Sequence, residues 1–206
     1  MSASTSARFA DLPYGPRLTE LIEPLYRGFR VANRYLALPM LRAGLGVIMS
    51  TPLTGSLMIL RTRGRKTGLL RETPLGYAIL DGSVWCCAGF GVQTQWYRNI
   101  LADPHVEVVL ANGSAFAGTA EVVADPVAFA TGFRHLILSM GVLGSRTVGD
   151  VSTASDAAVV AMGEGLPLIR IRPTGIAAGP ADPGGWLWLV PVLSCLWWLV
   201  RRSRRA

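Results

Sequence analysis

The stretch that decides the fold is Leu57–Tyr77, LMILRTRGRKTGLLRETPLGY. The apolar residues that begin Leu57–Arg63 predict one strand, and the end of the stretch runs into a second predicted strand, Glu72–Leu80. Between the two strands lies the turn Gly64–Gly68, which contains Lys66, the only lysine of the chain. A turn so rich in hydrogen-bond donors, placed between two strands, is suited to binding an anion.

The basic residues of this region fall into two groups. Arg65, Lys66 and Arg71 lie at or just after the turn, and we expect these three to bind the anion. Arg61 and Arg63 are two residues apart on the first strand, so they share a strand face, where we expect them to be surface charge. An isolated basic turn is commonly only solvated, so the rest of the chain decides which interpretation holds.

The chain beyond this stretch predicts more antiparallel β structure. Asp81-Gly82 and Asn112-Gly113 are hairpin-turn signals. Helices are predicted at Thr94–Leu101 and from the N-cap Asp125 to about Leu138. Residues 139–165 are rich in Gly, Ser and Ala and predict no definite element. Four further strands are predicted, at Val84–Ala88, Val106–Ala111, Ala115–Ala124 and Leu166–Ile171. This order favours a mainly β fold, a small closed or half-open barrel with short helices.

Charge and cysteine content exclude several classes of function. The formal net charge is +7, and it divides into +3 for residues 1–50, +1 for 51–180 and +3 for 181–206. A nearly neutral centre argues against nucleic acid, whereas basic ends favour contact with an anionic membrane surface. The three cysteines form no disulfide framework, and no metal-ligand spacing is present, so we expect reduced thiols and no metal.

The two ends of the chain predict helices outside the barrel. Residues 17–41 have the pattern of a basic amphipathic helix, interrupted at Pro24 and Pro39, that packs on the domain, touches a membrane, or does both. Trp186–Val200 is apolar and is followed by Arg201 and Arg202. As a helix it extends about 22 Å, short of a bilayer core of about 30 Å. We therefore expect a half-inserted membrane anchor; a span of a thinned bilayer and a helix folded back on the domain are the alternatives.

These observations divide the chain into three parts. Residues 1–56 are an N-terminal arm and amphipathic helix, ending in a Gly- and Ser-containing connector at 42–56. Residues 57–174 are the barrel domain. Residues 175–206 are a linker and a hydrophobic, membrane-associating tail. We expect no signal peptide, because the first residues have no apolar run, and the sequence leaves the oligomeric state open.

The basic turn does not carry nucleotide-triphosphate chemistry. Gly64–Thr67 lacks the Gly-Lys pair of a P-loop and the earlier glycine that a P-loop requires. Instead, the G-R-K-T-G turn is followed by Arg71, by Thr73-Pro74-Leu75, by the Asp-Gly hairpin, and by Trp96-Tyr97-x-Asn99-Ile100 leading to Asp103-Pro104. This order resembles the deazaflavin (F420)-dependent nitroreductase family, a group of small actinobacterial reductases. The resemblance is close from Leu57 to Asp125 and looser to Leu166–Pro173.

The resemblance implies a split β-barrel, similar to the barrels that bind flavin mononucleotide, and it implies coenzyme F420 as cofactor, with FMN as the alternative. The turn and the basic residue after it would hold the cofactor's phosphate and glutamate tail. The strand after the Asp-Gly hairpin and the Trp-Tyr-x-Asn helix would border its ring. The implied cofactor-binding residues are Arg65, Lys66, Thr67, Arg71, Glu72, Thr73, Pro74, Leu75, Gly76, Cys87, Ala88, Gly89, Phe90, Trp96, Tyr97, Arg98, Asn99 and Ile100. Packing of the helix on the barrel is the alternative role for Trp96 and Ile100.

The chain departs from the nitroreducing members of that family. They carry a tyrosine where this chain has Gly76, with Tyr77 on the opposite strand face. Residues 139–165 contain no tyrosine, and the loop Gly91–Gln95 contains no basic residue. The resemblance therefore implies F420 binding more directly than nitroreduction, and no catalytic acid or base is identifiable.

The sequence thus predicts an F420-dependent oxidoreductase that transfers hydride to an electron-poor apolar acceptor, namely a quinone, enone or nitroaromatic. Menaquinone is the expected type of acceptor, met at the cytoplasmic face of the cell membrane. Two alternatives stay open: a non-catalytic split-barrel protein that binds a deazaflavin, flavin, haem or lipid, and a structural membrane-associated protein without a cofactor.

Overall fold

Six antiparallel strands close into a barrel in the computed structural model, which describes residues 26–51, 55–177 and 189–203. Around the barrel the strands follow the order β1-β2-β3-β6-β5-β4, and β4 pairs with β1 to close it. The predicted mainly β barrel is therefore confirmed. The strands are β1 Ser56–Arg63, β2 Leu70–Leu80, β3 Ser83–Cys87, β4 His105–Val109, β5 Ala115–Val122 and β6 Leu168–Ile176.

Tight turns fix the register of the hairpins. Asp81 and Gly82 join β2 to β3 with φ of 50° and 68°, the left-handed pair that such a two-residue turn requires. Gly113, with φ of 84°, lies in the turn between β4 and β5. Gly118 faces Pro173 at a register shift between β5 and β6, where a proline is tolerated because the ladder is already interrupted.

The helices flank the barrel. Residues 26–32 are helical (α1) and continue through a π-helical turn, Asn33–Ala37, into α2. The predicted interruption at Pro39 takes the form of this turn, since Pro39 lies in the first turn of α2. The other helices are α2 Leu38–Arg42, α3 Gly46–Met49, α4 Gln95–Ala102, α5 Pro126–Ser139, α6 Gly141–Val148, α7 Asp156–Met162 and α8 Leu189–Ser203.

The structure confirms one predicted helix and adds short helices where the sequence predicted no definite element. The helix begun by Asp125 is confirmed, since the Asp125 carboxylate accepts a hydrogen bond of 2.8 Å from the Ala128 N–H. Residues 139–165, which predicted no definite element, contain α6 and α7. The connector at 42–56 contains the short helix α3. The predictions for residues 1–25, including Pro24, and for Trp186 and Trp188 concern residues outside the described ranges.

The hydrophobic core has an inner and an outer part. Inside the barrel, alternate residues of the strands meet, among them Met58, Leu60, Val108 and Ile171. On the outside, α5 and α7 cover β2, β3 and the start of β6. Burial of these apolar faces stabilises the fold at about 25 cal/mol per Å². The outer core includes Ala78, Trp85, Phe133, Leu136, Val159 and Leu168.

A smaller apolar cluster attaches the N-terminal helices to the barrel. Leu41 of α2 packs with Ile59 of β1 and Val109 of β4. This contact places α1 and α2 beside the turn that follows β1. The N-terminal helix therefore packs on the domain, as one of the two sequence interpretations predicted.

The C-terminal helix α8 presents apolar side chains to solvent. Leu193, Leu196, Trp197 and Trp198 are all more than half exposed. The Arg201 guanidinium lies 3.8 Å from the centre of the Trp197 ring. Across residues 26–51, 55–177 and 189–203, the helices are all too short or too polar to cross a bilayer.

Replacing Gly132 of α5 with alanine is expected to destabilise the protein by about 1–3 kcal/mol through overpacking. A Cβ at Gly132 would lie 2.2 Å from a ring carbon of Trp85, and this ring is held by a 3.3 Å hydrogen bond from its N–H to the Leu80 carbonyl. The matched control is Gly28→Ala on α1, where no atom lies within 4 Å and only helix propensity changes. Equal free energies of unfolding for the two variants in a denaturant titration would contradict this packing.

Candidate cofactor site

The basic turn between β1 and β2 is closed by its own backbone. The Gly64 N–H donates to the Leu69 carbonyl at 2.8 Å, and the Gly68 N–H donates to the Gly64 carbonyl at 2.7 Å. Gly68 has φ of 68°, a conformation that glycine adopts without strain. The side chains of Arg65, Lys66 and Thr67 are exposed on this turn.

Asn99 of α4 holds the turn in place through hydrogen bonds. Its amide oxygen accepts hydrogen bonds from the Arg65 N–H at 3.3 Å and from Arg65 Nη1 at 3.1 Å. Its amide nitrogen donates to the buried Thr62 hydroxyl at 3.2 Å. Asn99 is 5 % exposed, so each polar atom of its side chain is satisfied in a site shielded from water. The helix, the strand and the turn are therefore joined through one side chain.

Within the part of the chain that the structure describes, the Arg65 guanidinium forms no ion pair with a carboxylate. Besides Asn99, it donates from Nη2 to the Gln95 amide oxygen at 3.1 Å. Both acceptors are neutral amides, which orient the guanidinium and do not neutralise it. Among the described residues, Lys66 and Arg71 have no ion pair with a carboxylate. Three cations are thus concentrated at this end of the site.

A cavity of about 690 Å³ opens beside the turn, within the range of about 300–1,000 Å³ typical of small-molecule sites. It lies between the turn, β2, the end of β3, α4 and the N-terminal helix. Its lining residues are Tyr26, Phe29, Arg30, Asn33, Gly64, Arg65, Lys66, Thr67, Arg71, Glu72, Thr73, Pro74, Leu75, Gly76, Cys87, Gly89, Phe90, Thr94, Gln95, Trp96, Asn99 and Met140.

The opposite end of the cavity is apolar. The Tyr26 and Phe29 rings lie 5.0 Å and 5.5 Å from the Phe90 ring, measured between ring centres. Met140 lies against Gly76, where an added Cβ would meet the methionine at 3.7 Å. The cavity therefore combines a cationic end with an apolar, aromatic end.

Fourteen of the eighteen residues named from the sequence line this cavity. The other four lie elsewhere. Ala88, Tyr97 and Ile100 are buried in the barrel core, and Arg98 is exposed and donates to the Val92 carbonyl at 3.1 Å. Trp96 both packs in the core and borders the cavity.

Eight lining residues were not predicted. Gly64, Thr94 and Gln95 adjoin the two motifs, and this adjacency was a usable signal. Tyr26, Phe29, Arg30, Asn33 and Met140 come from elements whose placement depends on tertiary packing. Gly76 lines the cavity while Tyr77 packs in the barrel core, as strand alternation predicted. Burial raises the pKa of the Tyr77 phenol, so it stays neutral at physiological pH.

Arg61 corrects one prediction made from the sequence. It is 6 % exposed and is not a surface charge, whereas Arg63 is exposed. Arg61 lies opposite Glu72 on β2 and Glu107 on β4, and its guanidinium is 2.9 Å and 3.5 Å from their carboxylates. The outer face of β1 is covered at this point, because α2 packs over it.

Glu72 connects this buried pair to the N-terminal helices. Its second oxygen accepts a hydrogen bond from Arg42 Nε at 2.8 Å, so one carboxylate joins β1, β2 and α2. Burial alone would raise the pKa of Glu72, but the hydrogen bonds and charges of Arg42 and Arg61 outweigh it and lower the pKa. Glu72 is therefore ionised at neutral pH, although it borders the cavity.

The thiols near the site are unreactive. Burial raises the pKa of Cys86 and of Cys87, the latter to about 12, so neither forms an appreciable thiolate at neutral pH. Within the described ranges, no group of three or more His, Cys, Asp or Glu side chains gathers to hold a metal.

Comparison with known proteins gives a family match over part of the chain. Residues 40–136, from α2 into α5, match the family model described as F420H(2)-dependent quinone reductase. Over these residues the chain is similar to this family of F420H2-dependent reductases, and the resemblance found in the sequence is confirmed. No curated protein matches the chain.

Several solved structures show distant similarity. One described as an F420-H2-dependent reductase is 18 % identical, with a TM-score of 0.39 and coverage of 56 % of this chain and 93 % of the other. General stress protein 26 from Bacillus anthracis is 14 % identical, with a TM-score of 0.40 and coverage of 65 % and 89 %. These values carry no argument about function, and the barrel is established by its own strand pairing.

Substituting Glu72 with glutamine is expected to lower the free energy of unfolding by about 3 kcal/mol at pH 7, because Arg61 is left with a weaker set of partners. The pKa of Glu72 is lowered from 4.5, so its stabilising effect is present above about pH 4.5 and is lost as the pH falls through the lowered value. The stabilities of native chain and variant should therefore converge in acid.

Glu164→Gln is the matched control, since Glu164 is exposed in the turn after α7 and its substitution should change little at any pH. Denaturant unfolding between pH 3 and pH 7 measures all three chains. A constant difference between native chain and Glu72→Gln across this range would show that the carboxylate charge is not what stabilises the fold.

Proposed function

We propose that this chain binds coenzyme F420 in the cavity beside the basic turn and transfers hydride from its reduced form to an electron-poor apolar acceptor, most suitably menaquinone, at the cytoplasmic surface of the membrane. The observation that carries the proposal is the combination of a cationic end and an apolar, aromatic end in one cavity of about 690 Å³. The match of residues 40–136 to the F420H(2)-dependent quinone reductase family model supports a quinone as acceptor.

The cationic end fits the anionic part of the cofactor. Arg65, Lys66 and Arg71 line it, and arginine and lysine side chains are the common ligands of phosphate and carboxylate groups. Because Asn99 and Gln95 already orient Arg65, little side-chain freedom is lost when an anion binds. Lys66 supplies a mobile point charge beside it.

The apolar end fits a flat ring system. Gly89 carries no side chain there, and Phe90 and Trp96 provide aromatic walls. In F420H2 chemistry the deazaflavin supplies a hydride. The residues of this chain hold donor and acceptor in contact and exclude water, which is the main contribution that a protein makes to such a transfer.

No lining carboxyl acts as a proton donor near neutral pH. Glu72 is the carboxylate that borders the described part of the cavity, and its lowered pKa keeps it ionised. Cys87 holds its proton too firmly, because burial raises the pKa of its thiol. The proton that accompanies hydride transfer to a quinone therefore comes from water or from another group.

Membrane contact is supported by the exposed side chains of α8. Leu193, Leu196, Trp197 and Trp198 form an apolar surface next to Arg201 and Arg202, the arrangement typical of helices that lie in a membrane interface. A lipid-soluble quinone is reached most directly from that position. The non-catalytic alternative shares the binding site and differs only in lacking turnover.

Substituting Gln95 with glutamate is expected to weaken F420 binding several-fold. The new carboxylate would pair with Arg65 where the amide oxygen now accepts a 3.1 Å hydrogen bond, and it would neutralise a cation that the cofactor requires. Gln93→Glu is the control, because it adds the same charge on a side chain that does not line the cavity. Equal dissociation constants for the two variants, from the cofactor's fluorescence, would exclude Arg65 from anion binding.

The proposal as a whole is tested by mixing the purified chain with reduced F420 and a menaquinone analogue, following the return of oxidised-cofactor fluorescence. We expect F420 to bind, FMN to bind more weakly, and the quinone to be reduced. Binding without oxidation would establish the non-catalytic alternative, whereas tight FMN binding with no response to F420 would overturn the cofactor.

The membrane part of the proposal is tested in the same assay with the quinone supplied either in solution or in anionic vesicles. The double variant Trp197→Gln, Trp198→Gln should keep its rate with soluble quinone and lose rate with the vesicles. Its control is Val127→Gln, Val142→Gln, which changes two exposed apolar residues elsewhere. Equal vesicle rates for both double variants would show that α8 is not the membrane contact.

A further inference from the structure

Met140 lines the cavity, and the function proposed above assigns it no role. It follows the last residue of α5, and its N–H donates to the Leu136 carbonyl at 3.0 Å. The hydroxyl of the preceding residue, Ser139, lies 3.3 Å from the Tyr77 carbonyl of β2. The end of α5 is therefore attached to β2 beside the cavity.

Two glycines enclose the backbone of Met140. A Cβ at Gly55 would lie 2.6 Å from the Met140 Cα, and a Cβ at Gly144 would lie 2.9 Å from the Met140 Cβ. Contacts this short do not occur in close-packed interiors. Gly55 also has φ of 70°, which glycine adopts without strain. The backbone of Met140 thus fits because both neighbours lack a side chain.

The side chain of Met140 lies along Gly76 of β2. A Cβ added at Gly76 would meet the Met140 Cε at 3.7 Å, the Cγ at 3.8 Å and the Sδ at 3.9 Å. Because these three distances are nearly equal, the methionine lies flat across the strand and does not touch it with its tip alone. The thioether therefore covers the Gly76 backbone and presents its own surface to the cavity.

This methionine surface is at the end of the cavity away from the cations. Arg71 and Gly76 both line the cavity, and they are five residues apart on β2, a distance of about 17 Å. An anionic group bound near Arg71 therefore leaves the space at Gly76 and Met140 for the reacting end of the cofactor and for the acceptor that must contact it.

We propose that Met140, lying over Gly76, determines which acceptors are reduced, because it forms the wall against which the flat acceptor ring packs. This inference deepens the proposed function and rests on it. A thioether is polarisable and makes favourable contacts with aromatic rings. Since Gly55 and Gly144 hold the backbone of Met140, the length of its side chain sets the width of the acceptor space, and so the number of fused rings that fit.

The test compares kcat/KM for a naphthoquinone and an anthraquinone, with reduced F420 as donor and the cofactor's fluorescence as signal. Met140→Ala removes the Cγ, Sδ and Cε atoms and should raise the ratio of anthraquinone to naphthoquinone by about tenfold or more. Because the same two acceptors are compared in every variant, the difference in their reduction potentials cancels.

Gly76→Ala tests the opposite change. The added methyl group would contact Met140 at 3.7 Å, an ordinary van der Waals distance, so we expect the variant to fold. It narrows the acceptor space and should lower the same ratio several-fold. A ratio that rises in Gly76→Ala as it does in Met140→Ala would overturn the assignment, because the two substitutions change the width in opposite directions.

Met162→Ala is the matched control. Met162 ends α7 and is half-buried against the same outer apolar cluster as Met140, but it lies outside the lining of the described cavity. It loses the same atoms and should leave the ratio unchanged. Met140→Leu fills a similar volume and should restore most of the native ratio. Equal ratios in the native chain, Met140→Ala and Met162→Ala would show that Met140 does not form the acceptor wall.

A fluorescence titration with oxidised F420 separates contact with the acceptor from contact with the cofactor. Met140→Ala should keep the native dissociation constant, which also shows that it is folded. Weaker F420 binding with an unchanged acceptor ratio would place Met140 against the cofactor and overturn the assignment. A native chain that binds F420 but reduces neither quinone would instead overturn the proposed function, and the acceptor wall with it.

Discussion

Closure of the barrel by the β4–β1 pairing is the constraint on which the rest of the structure depends. Once every strand is paired on both sides, the interior is filled with apolar side chains and leaves no room for a ligand. The site must therefore lie where strands end, where a turn, a helix and the outside of β2 meet. Asn99 makes that junction a defined site, because its amide satisfies strand, turn and helix at the same time.

The buried charges on the outside of the barrel help to position the elements that form the same site. Arg61 lies between two carboxylates on neighbouring strands, and one of them, Glu72, also accepts a hydrogen bond from Arg42 of α2. A buried ion pair contributes little net stability, because desolvation offsets most of the attraction. Its effect here is geometric, since it fixes where the N-terminal helices stand relative to β2 and hence how wide the cavity opens.

The sequence predicted the features that local chemistry determines. Asp81-Gly82 and Asn112-Gly113 can form only a few turn types, and Asp125 followed by Pro126 can begin a helix, so two hairpins and the start of α5 followed. Most of the cavity lining was predicted, because it comes from the basic turn, the strand after it and the Trp-Tyr-x-Asn motif, which are recognisable as short sequence patterns. Ser155, which accepts a hydrogen bond from the Ala158 N–H at 3.3 Å, was a cap signal for α7 that the Gly- and Ser-rich composition hid.

The features that the sequence did not predict depend on tertiary packing, that is, on which helix packs against which strand. Arg61 has the alternation of a surface residue and is buried only because α2 lies over the outer face of β1. Tyr26 and Phe29 belong to a helix whose amphipathic pattern suits either a membrane or a domain, so nothing local assigns them to a cavity wall. Met140 follows α5 and reaches Gly76 only through packing of that helix on β2.

The N-terminal helix forms a wall of the cofactor cavity, yet few buried contacts attach it to the domain. Between Tyr26 and Ala37 its described side chains are exposed or half-buried, and its docking relies on rings at Phe90 and on α2. A ligand that binds in the cavity and contacts this helix adds its binding free energy to that docking. Occupancy of the site and protection of the helix from a protease are then one equilibrium measured in two ways.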